Sequence, residues 1–337
     1  MLTPNQPPLR LVFMGSDPIA LPLLDWLAGE GCAVAEVIAV FTQPDRPVGR
    51  GQKITANAIK TWALARSLPV FQPEKLIEED RQQLAALCVD VALVMAYGQI
   101  LKDDFIATPR LGSLNLHTSL LPKYRGASPI QTAIANGERE TAVSLMRIVR
   151  KLDAGPVADV ERVPIQPRER ALDIEAKLSA ACVPLLARAL PNLMAGGLAF
   201  APQAETQATF CRKLLKDDGA LDFFAPATVL AARINGLYPW PACSVEIAGQ
   251  LVKIGQAEAA DEVNSVEPGT VISADAAGLS VATGQGSVRL LKLQRPGGKM
   301  LPAADFLRGF PIEAGAKLPS TPMNPLVGKE PFKRIVR

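Results

Sequence analysis

The chain contains a single histidine, His117. Any site that needs two imidazoles from one chain is therefore excluded, including HExxH metalloproteases and multi-histidine zinc centres. The five cysteines, Cys32, Cys88, Cys182, Cys211 and Cys243, are odd in number, widely spaced and never arranged as CxxC. That usage argues against a disulfide framework or a zinc ribbon and points to a reducing, cytoplasmic setting. No apolar run approaches the roughly 18 residues of a membrane-spanning helix. The opening MLTPNQPPLRLVFMG lacks a basic region followed by an apolar one, so no signal peptide is expected. The 25 glycines and 29 prolines follow no repeat, which excludes collagen-like and solenoid chains. No GxSxG is present either, so a serine-elbow hydrolase is not indicated.

What is present is ordinary globular material. Hydrophobic residues make up 48% and charged residues 20% of 337 positions, enough apolar surface to bury and a length suited to two domains. The net charge of +3 is unevenly placed. Residues 1–210 balance at 21 basic and 21 acidic, whereas residues 211–337 carry 15 basic and 12 acidic.

Through the first half, short apolar runs alternate with helical patterns. LRLVFMG, VAEVIAVFT, VFQP, DVALVMAYG, SLNLHTS and TAVSLMRIV read as strands, with helices between them and a long helix over 169–195. This alternation predicts a doubly wound, mostly parallel α/β sheet of Rossmann-like type over residues 1–195. Small and polar residues over 196–210 read as an interdomain linker. Beyond it, a helix is followed by short runs punctuated by glycine, which predicts a small OB-like β-barrel domain over 211–337.

The strongest constellation is NLHTSLLPKYRGASPIQ, residues 115–131. Side chains at i and i+2 of a strand share a face, so Asn115 and His117 project together near the end where α/β sheets bind ligands. RKLDAGPV follows the next strand and would bring Asp153 beside His117 if the two strands are neighbours. A carboxylate can fix the tautomer of an imidazole and stabilise its charged form. The amide and imidazolium can both donate to an oxyanion. With no nucleophilic serine or cysteine evident, the set suits direct acyl transfer to an amine that the substrate supplies. Each residue alone also fits a plain structural role, and spacing by itself does not name the reaction.

The motif NxHxSLLPxYRGxxPIQ followed by LDxGPV resembles the signature of the folate-dependent formyltransferases, which use 10-formyltetrahydrofolate. Here it stands as Asn115, His117, Ser119, Leu120, Leu121, Pro122, Arg125, Gly126, Pro129 and Asp153. The resemblance implies Asn115, His117 and Asp153 as the catalytic trio, with no metal. It implies a folate pocket formed by Ser119, Leu120, Leu121 and Pro122 together with Ala96, Tyr97, Gly98, Ile100 and Leu101 of AYGQIL.

The loop FTQPDRPVGRGQK, residues 41–53, sets Arg46, Arg50 and Lys53 against the single acid Asp45. Read from its composition, it is either a solvated surface loop or a mobile cationic finger that reaches a phosphate backbone. It resembles the insertion loop of the family branch that acts on initiator methionyl-tRNA. LYPWP (237–241) and TFCRKLLKDDGALDF (209–223) resemble that branch's second-domain motifs. The resemblance implies tRNA contacts at Arg46, Arg50, Lys53, Lys213 and Lys216; a monomer is expected, although the sequence itself does not give the oligomeric state. Arg289, Lys292, Arg295 and Lys299, with no acid among them, suit a phosphate track or a solvated strand face. The proline-bearing N-terminal extension, the C-terminal tail and the basic run Arg147, Arg150 and Lys151 depart from the family pattern. Other formyltransferases, a formyltetrahydrofolate hydrolase and a non-catalytic RNA-binding relative remain the alternatives.

Overall fold

The computed structural model describes residues 7–49, 51–261 and 265–332. The chain divides into two compact units. One is Met1–Arg125, Ala142–Val163 and Ala176–Gln207; the other is Gly126–Thr141, Pro164–Glu175 and Ala208–Arg337. This differs from a simple division into 1–195, 196–210 and 211–337. Residues 126–141 and 164–175 join the second unit, and most of the expected linker joins the first. No helix among the described residues is long and apolar enough to cross a membrane.

The first unit is built on β1 (Leu9–Gly15), β2 (Ala35–Phe41), β3 (Val70–Phe71), β4 (Val91–Met95), β5 (Ser113–His117), β6 (Glu140–Arg147) and β7 (Val157–Pro164). Among the described residues these form one sheet in the order β7-β6-β5-β4-β1-β2-β3. The pairs β1/β2, β1/β4, β2/β3 and β4/β5 are parallel. This is the expected Rossmann-like arrangement, with crossover helices α1 (Leu21–Ala28), α2 (Ala58–Leu64) and α3 (Glu78–Ala86). Asn57 caps α2 by accepting from the Lys60 amide at 3.0 Å. The central strands β1 and β4 are apolar and almost wholly buried, as strands covered on both faces must be.

Two features depart from the expectation. β6 pairs with β5 antiparallel, so the sheet is parallel only up to β5. β7 was not anticipated: VADVERVP is half-buried along most of its length and lacks the apolar run that marks the other strands.

The loop after β2 also carries structure. Arg46–Val48 and Lys53–Thr55 pair as a short antiparallel hairpin. Thr42 Oγ1 donates to Ser16 Oγ at 3.2 Å, and Gln43 Nε2 donates to the Tyr97 carbonyl at 2.9 Å. These bonds tie together the segments leaving β1, β2 and β4. That is the point where strand order reverses, the usual ligand-binding edge of such sheets.

The second unit holds β8 (Cys243–Ile247), β9 (Gln250–Ala260), β10 (Val271–Asp275), β11 (Gly278–Ala282) and β12 (Ser287–Gln294). They form an antiparallel sheet in the order β8-β9-β12-β11-β10. Phe223, Leu230, Ile234, Val252, Ile254, Val281, Leu290 and Leu293 pack into one buried core there. Helix α4 (Pro129–Ala135) belongs to this unit because it packs on α6 (Ala227–Leu237), where Gly236 permits unusually close approach. A Cβ at Gly236 would sit 2.4 Å from the Ala135 backbone nitrogen. The long helix α5 (Ala171–Met194) matches the expected span closely.

Candidate active site

β5 delivers Asn115 and His117 on one face, Asn115 half-buried and His117 buried. In the β5/β6 register, His117 lies opposite Ser144 and Leu114 opposite Arg147. β6 therefore ends beside the start of β5, about 10 Å from His117 at the rise of a strand. A parallel neighbour would have placed Asp153 at the right edge directly. Here the loop 148–156 must carry it back, and it does: Asp153 Oδ2 lies 3.8 Å from His117 Nδ1. Asp153 has a left-handed backbone (φ 46), which short polar side chains tolerate better than most. Gly155 is obligatory for the same path, because a Cβ there would lie 1.9 Å from the Arg147 carbonyl oxygen.

The other ring nitrogen has a separate partner. His117 Nε2 lies 3.0 Å from the Tyr124 carbonyl oxygen. A carbonyl only accepts, so Nε2 carries hydrogen and donates. The backbone of Tyr124, rather than Asp153, thus fixes the neutral tautomer. Nδ1 is the nitrogen that faces Asp153. At 3.8 Å the carboxylate acts on the ring through charge rather than a hydrogen bond.

The SLLP turn is set by its own hydrogen bonds. Ser119 Oγ donates to the Lys123 carbonyl at 2.7 Å, and Ser144 Oγ donates to the Ser119 carbonyl at 2.7 Å. Ser144 also accepts from the Leu121 amide at 3.3 Å. Ser119 and Leu121 are buried, while Leu120 and Pro122 are half-buried. Ser144, a lone hydroxyl within the apolar run of β6, is a site-shaping residue that motif reading missed.

In AYGQIL the residues divide sharply. Ala96 and Gly98 are exposed with positive φ, and Ile100 is 67% exposed. Leu101 is buried. The Tyr97 ring lies in the core with Phe41, Val94 and Phe105, and burial pushes its phenol well above its ordinary value. Its hydroxyl is buried without a protein partner. Loop 148–153 lies alongside this segment. Ile148 packs on the cluster that contains Leu101 and Phe105, and Arg150 lies 3.8 Å from Asp103. Leu152 is 50% exposed, so both loops present apolar side chains to solvent.

The cations of the basic run have partners within the first unit. Arg147 stacks on Phe200 at 4.2 Å and donates to the Leu111 carbonyl at 2.9 Å. Lys151 pairs with Glu205 at 2.6 Å. In the loop after β2, Arg46 is clasped by Glu74, with its shorter contact at 2.6 Å. Asp45 lies 2.7 Å from Lys60 Nζ, and hydrogen bonds from Gln72 and then Lys60 hold its carboxyl below the ordinary range. Lys53 is exposed, whereas Arg50 lies outside the described residues. In the second unit Lys213 and Lys216 are exposed. Arg289 does not lie on an acid-free track: Glu258, opposite it on β9, pairs with it at 3.4 Å. Among the described residues, no group of three or more His, Cys, Asp or Glu side chains gathers to hold a metal ion.

Comparison with known proteins agrees with this architecture. A family described as formyl transferase matches residues 9–190, and one described as formyl transferase, C-terminal domain, matches residues 213–311. The methionyl-tRNA formyltransferase of Hydrogenovibrio crunogenus is 40% identical over 300 residues, spanning 89% of this chain and 95% of its own. That of Xylella fastidiosa strain 9a5c is 42% identical over 302 residues, spanning 89% and 97%. Among solved structures, the N-formyltransferase of Helicobacter canadensis, in complex with folinic acid and dTDP-3-aminofucose, has a TM-score of 0.63 at 17% identity over 84% of this chain and 98% of its own. HypX from Aquifex aeolicus, in complex with tetrahydrofolic acid, has a TM-score of 0.58 at 17% identity over 93% of this chain and 51% of its own. These two structural likenesses concern the fold. The sequence identities, sustained through both family regions and nearly the full length of each relative, place the chain in the methionyl-tRNA formyltransferase family.

Proposed function

We propose that this chain moves the formyl group of 10-formyltetrahydrofolate to the amino group of methionine on the initiator tRNA, supporting translation initiation. The observation that carries the residue roles is that Asp153, remote in the chain, lies 3.8 Å from His117, which shares one face of β5 with Asn115. The methionyl amine attacks the formyl carbon, and negative charge develops on the formyl oxygen. Asn115 donates to that oxygen through its carboxamide. His117 donates through Nδ1–H when protonated, because Nε2 is already committed to Tyr124. Asp153 balances the imidazolium and takes part in moving the proton that the amine loses. As the bond between the formyl carbon and the folate nitrogen breaks, that nitrogen takes up the proton and departs as an amine.

The exposed apolar side chains of Ile100 and Leu152, with the SLLP turn, support a folate pocket in the first unit. Exposed Lys53, Lys213 and Lys216 are the cations offered to tRNA phosphates, and Arg46 is offered on exchange of its surface pair with Glu74.

The test is a single-turnover assay with formyl donor and charged initiator tRNA. The wild-type chain is expected to formylate the methionyl amine. His117→Ala should lower the rate about 10²- to 10³-fold, the usual cost of one oxyanion donor, while tRNA binding stays unchanged. Near-normal turnover by that variant would remove His117 from the chemistry. Formate release without acceptor, or transfer to a sugar-nucleotide amine in place of tRNA, would overturn the substrate assignment.

A further inference from the structure

Gln203 lies in the stretch that reads as a linker from composition, yet every hydrogen-bonding position of its carboxamide is used. Its Nε2 donates to the carbonyls of Asp153 and Gly155, both at 2.8 Å. Its Oε1 accepts from Arg125 Nε at 3.1 Å and from Arg125 Nη2 at 2.9 Å. Two donors and two lone pairs are all that a carboxamide has.

The groups it joins are those that frame His117. Arg125 is fully buried and directly follows Tyr124, whose carbonyl holds His117 Nε2. Asp153 faces His117 Nδ1. One side chain thus spans the two backbone segments that flank the imidazole.

The surrounding contacts follow a regular alternation. Lys151 is tied to Glu205, Asp153 and Gly155 to Gln203, and Val157 to Ala201 through a pair of backbone bonds at 2.8 and 2.9 Å. Residues 151, 153, 155 and 157 are therefore held in turn by 205, 203, 203 and 201, the last pair as an antiparallel backbone bridge and the others through side chains. Glu205 also bonds Arg125 Nη2 at 2.8 Å, which anchors the clasp in the first unit's interior.

We propose that Gln203 is a positioning residue of the formyl-transfer reaction: it holds the Asp153 loop against the Tyr124–Arg125 segment and so sets the Asp153 carboxylate at its working distance from His117. This rests on the reading of Asn115, His117 and Asp153 as the reacting set. A purely structural role would be to supply Arg125 with an acceptor, and a carboxylate would do that at least as well. Only an amide both accepts from Arg125 and donates to two carbonyls.

Gln203→Glu separates the two roles, because it keeps the acceptor for Arg125 and sets a carboxylate against the Asp153 and Gly155 carbonyls. The full-length variant should melt cooperatively and bind both substrates with little change in KM, while kcat falls about 10- to 100-fold, as misplacement on the ångström scale does. Asp153→Asn alone should be impaired. In that background Gln203→Glu should add little, since both changes act through one contact. Where Gln203→Glu does not fold, Gln203→Met, which deletes the bonds without adding charge, should show the same loss of kcat in the folded fraction.

Parental kcat in the Gln203 variant, with Asp153→Asn impaired, overturns the positioning role and leaves the site reading standing. A full additional loss in the double variant also overturns it, since Gln203 would then act by another route. Parental kcat in Asp153→Asn overturns the site reading and this inference together.

Discussion

Two buried arginines, one in each unit, are satisfied in contrasting ways. Arg125 in the first unit reaches Gln203 and Glu205, and Glu205 is itself 53% exposed. Arg233 in the second unit donates to the carbonyls of Asp218 and Asn324, while the Asp218 carboxylate, fully buried, binds Arg212 at 2.7 Å. Burial is the largest influence on both inner groups of the second cluster. It pulls the Arg233 guanidinium down, and it opposes the ionised form of Asp218. Hydrogen bonds from Arg212 and the Leu215 amide, with the charges of Arg212 and Arg233, nevertheless leave the Asp218 carboxyl below its ordinary value. The same device therefore serves two ends. In the second unit it closes on itself and binds segments 212–218, 233 and 324 together. In the first, its acceptors are also the residues that hold the Asp153 loop. A buried cation fixes whatever presents its acceptors, and only the identity of those segments makes it a matter of stability or of chemistry.

The sharpest way to break that contrast is Asp218→Ala. Removing one member of a buried pair strands its partners and should cost about 3–5 kcal/mol of stability, read by urea denaturation. kcat of the folded fraction should be unchanged. A large kcat defect in fully folded protein would show that the second cluster also serves the reaction.

A smaller effect is expected from Gly236→Ala, where the added Cβ meets the Ala135 backbone of the same unit. Overpacking of this kind should cost about 1–3 kcal/mol, again with no change in kcat. An unchanged urea midpoint would mean that α4 does not press on α6 as closely as described.

The smallest effect is a pH dependence in the first cluster. Hydrogen bonds from Arg125 and then Lys151 hold the Glu205 carboxyl at about 2 rather than 4.5. A carboxylate depressed in this way stabilises the fold above its unfolded value and loses that contribution as pH falls through the folded one. Glu205→Gln should therefore flatten the decline of Tm between 4.5 and about 2, with little change near neutrality. A variant whose Tm declines as steeply as that of the parent would place the acid sensitivity elsewhere.

β1, β2 and β4 were readable because each is a mainly apolar run, and a run buried on both faces needs no partner information to be recognised. β7 was not readable, since its residues are half-buried and polar ones break the pattern. Asn115 and His117 were legible as a pair from strand periodicity alone. Asp153 lies 3.8 Å from His117 by a route that strand alternation does not show: β6 runs antiparallel, and the loop, not the strand, makes the approach. Tyr124 escaped notice because its contribution is a backbone carbonyl, which no residue type announces. The cationic series from Arg289 looked acid-free along the chain, yet Glu258 stands opposite on the neighbouring strand.

Chain order therefore carried the local chemistry: which residue types exist, which side chains share a strand face, and where apolar runs demand burial. These depend on covalent connectivity and short periods, so they survive without coordinates. Folding settled the rest, namely which nitrogen of His117 meets the Tyr124 carbonyl and which faces Asp153, how the Asp153 loop returns, and that Gln203 bonds its backbone. Those are through-space relations, some between near neighbours in the chain and those of Gln203 across 50 to 78 residues, where hydrogen-bond valence and close approach, rather than sequence pattern, choose the partner.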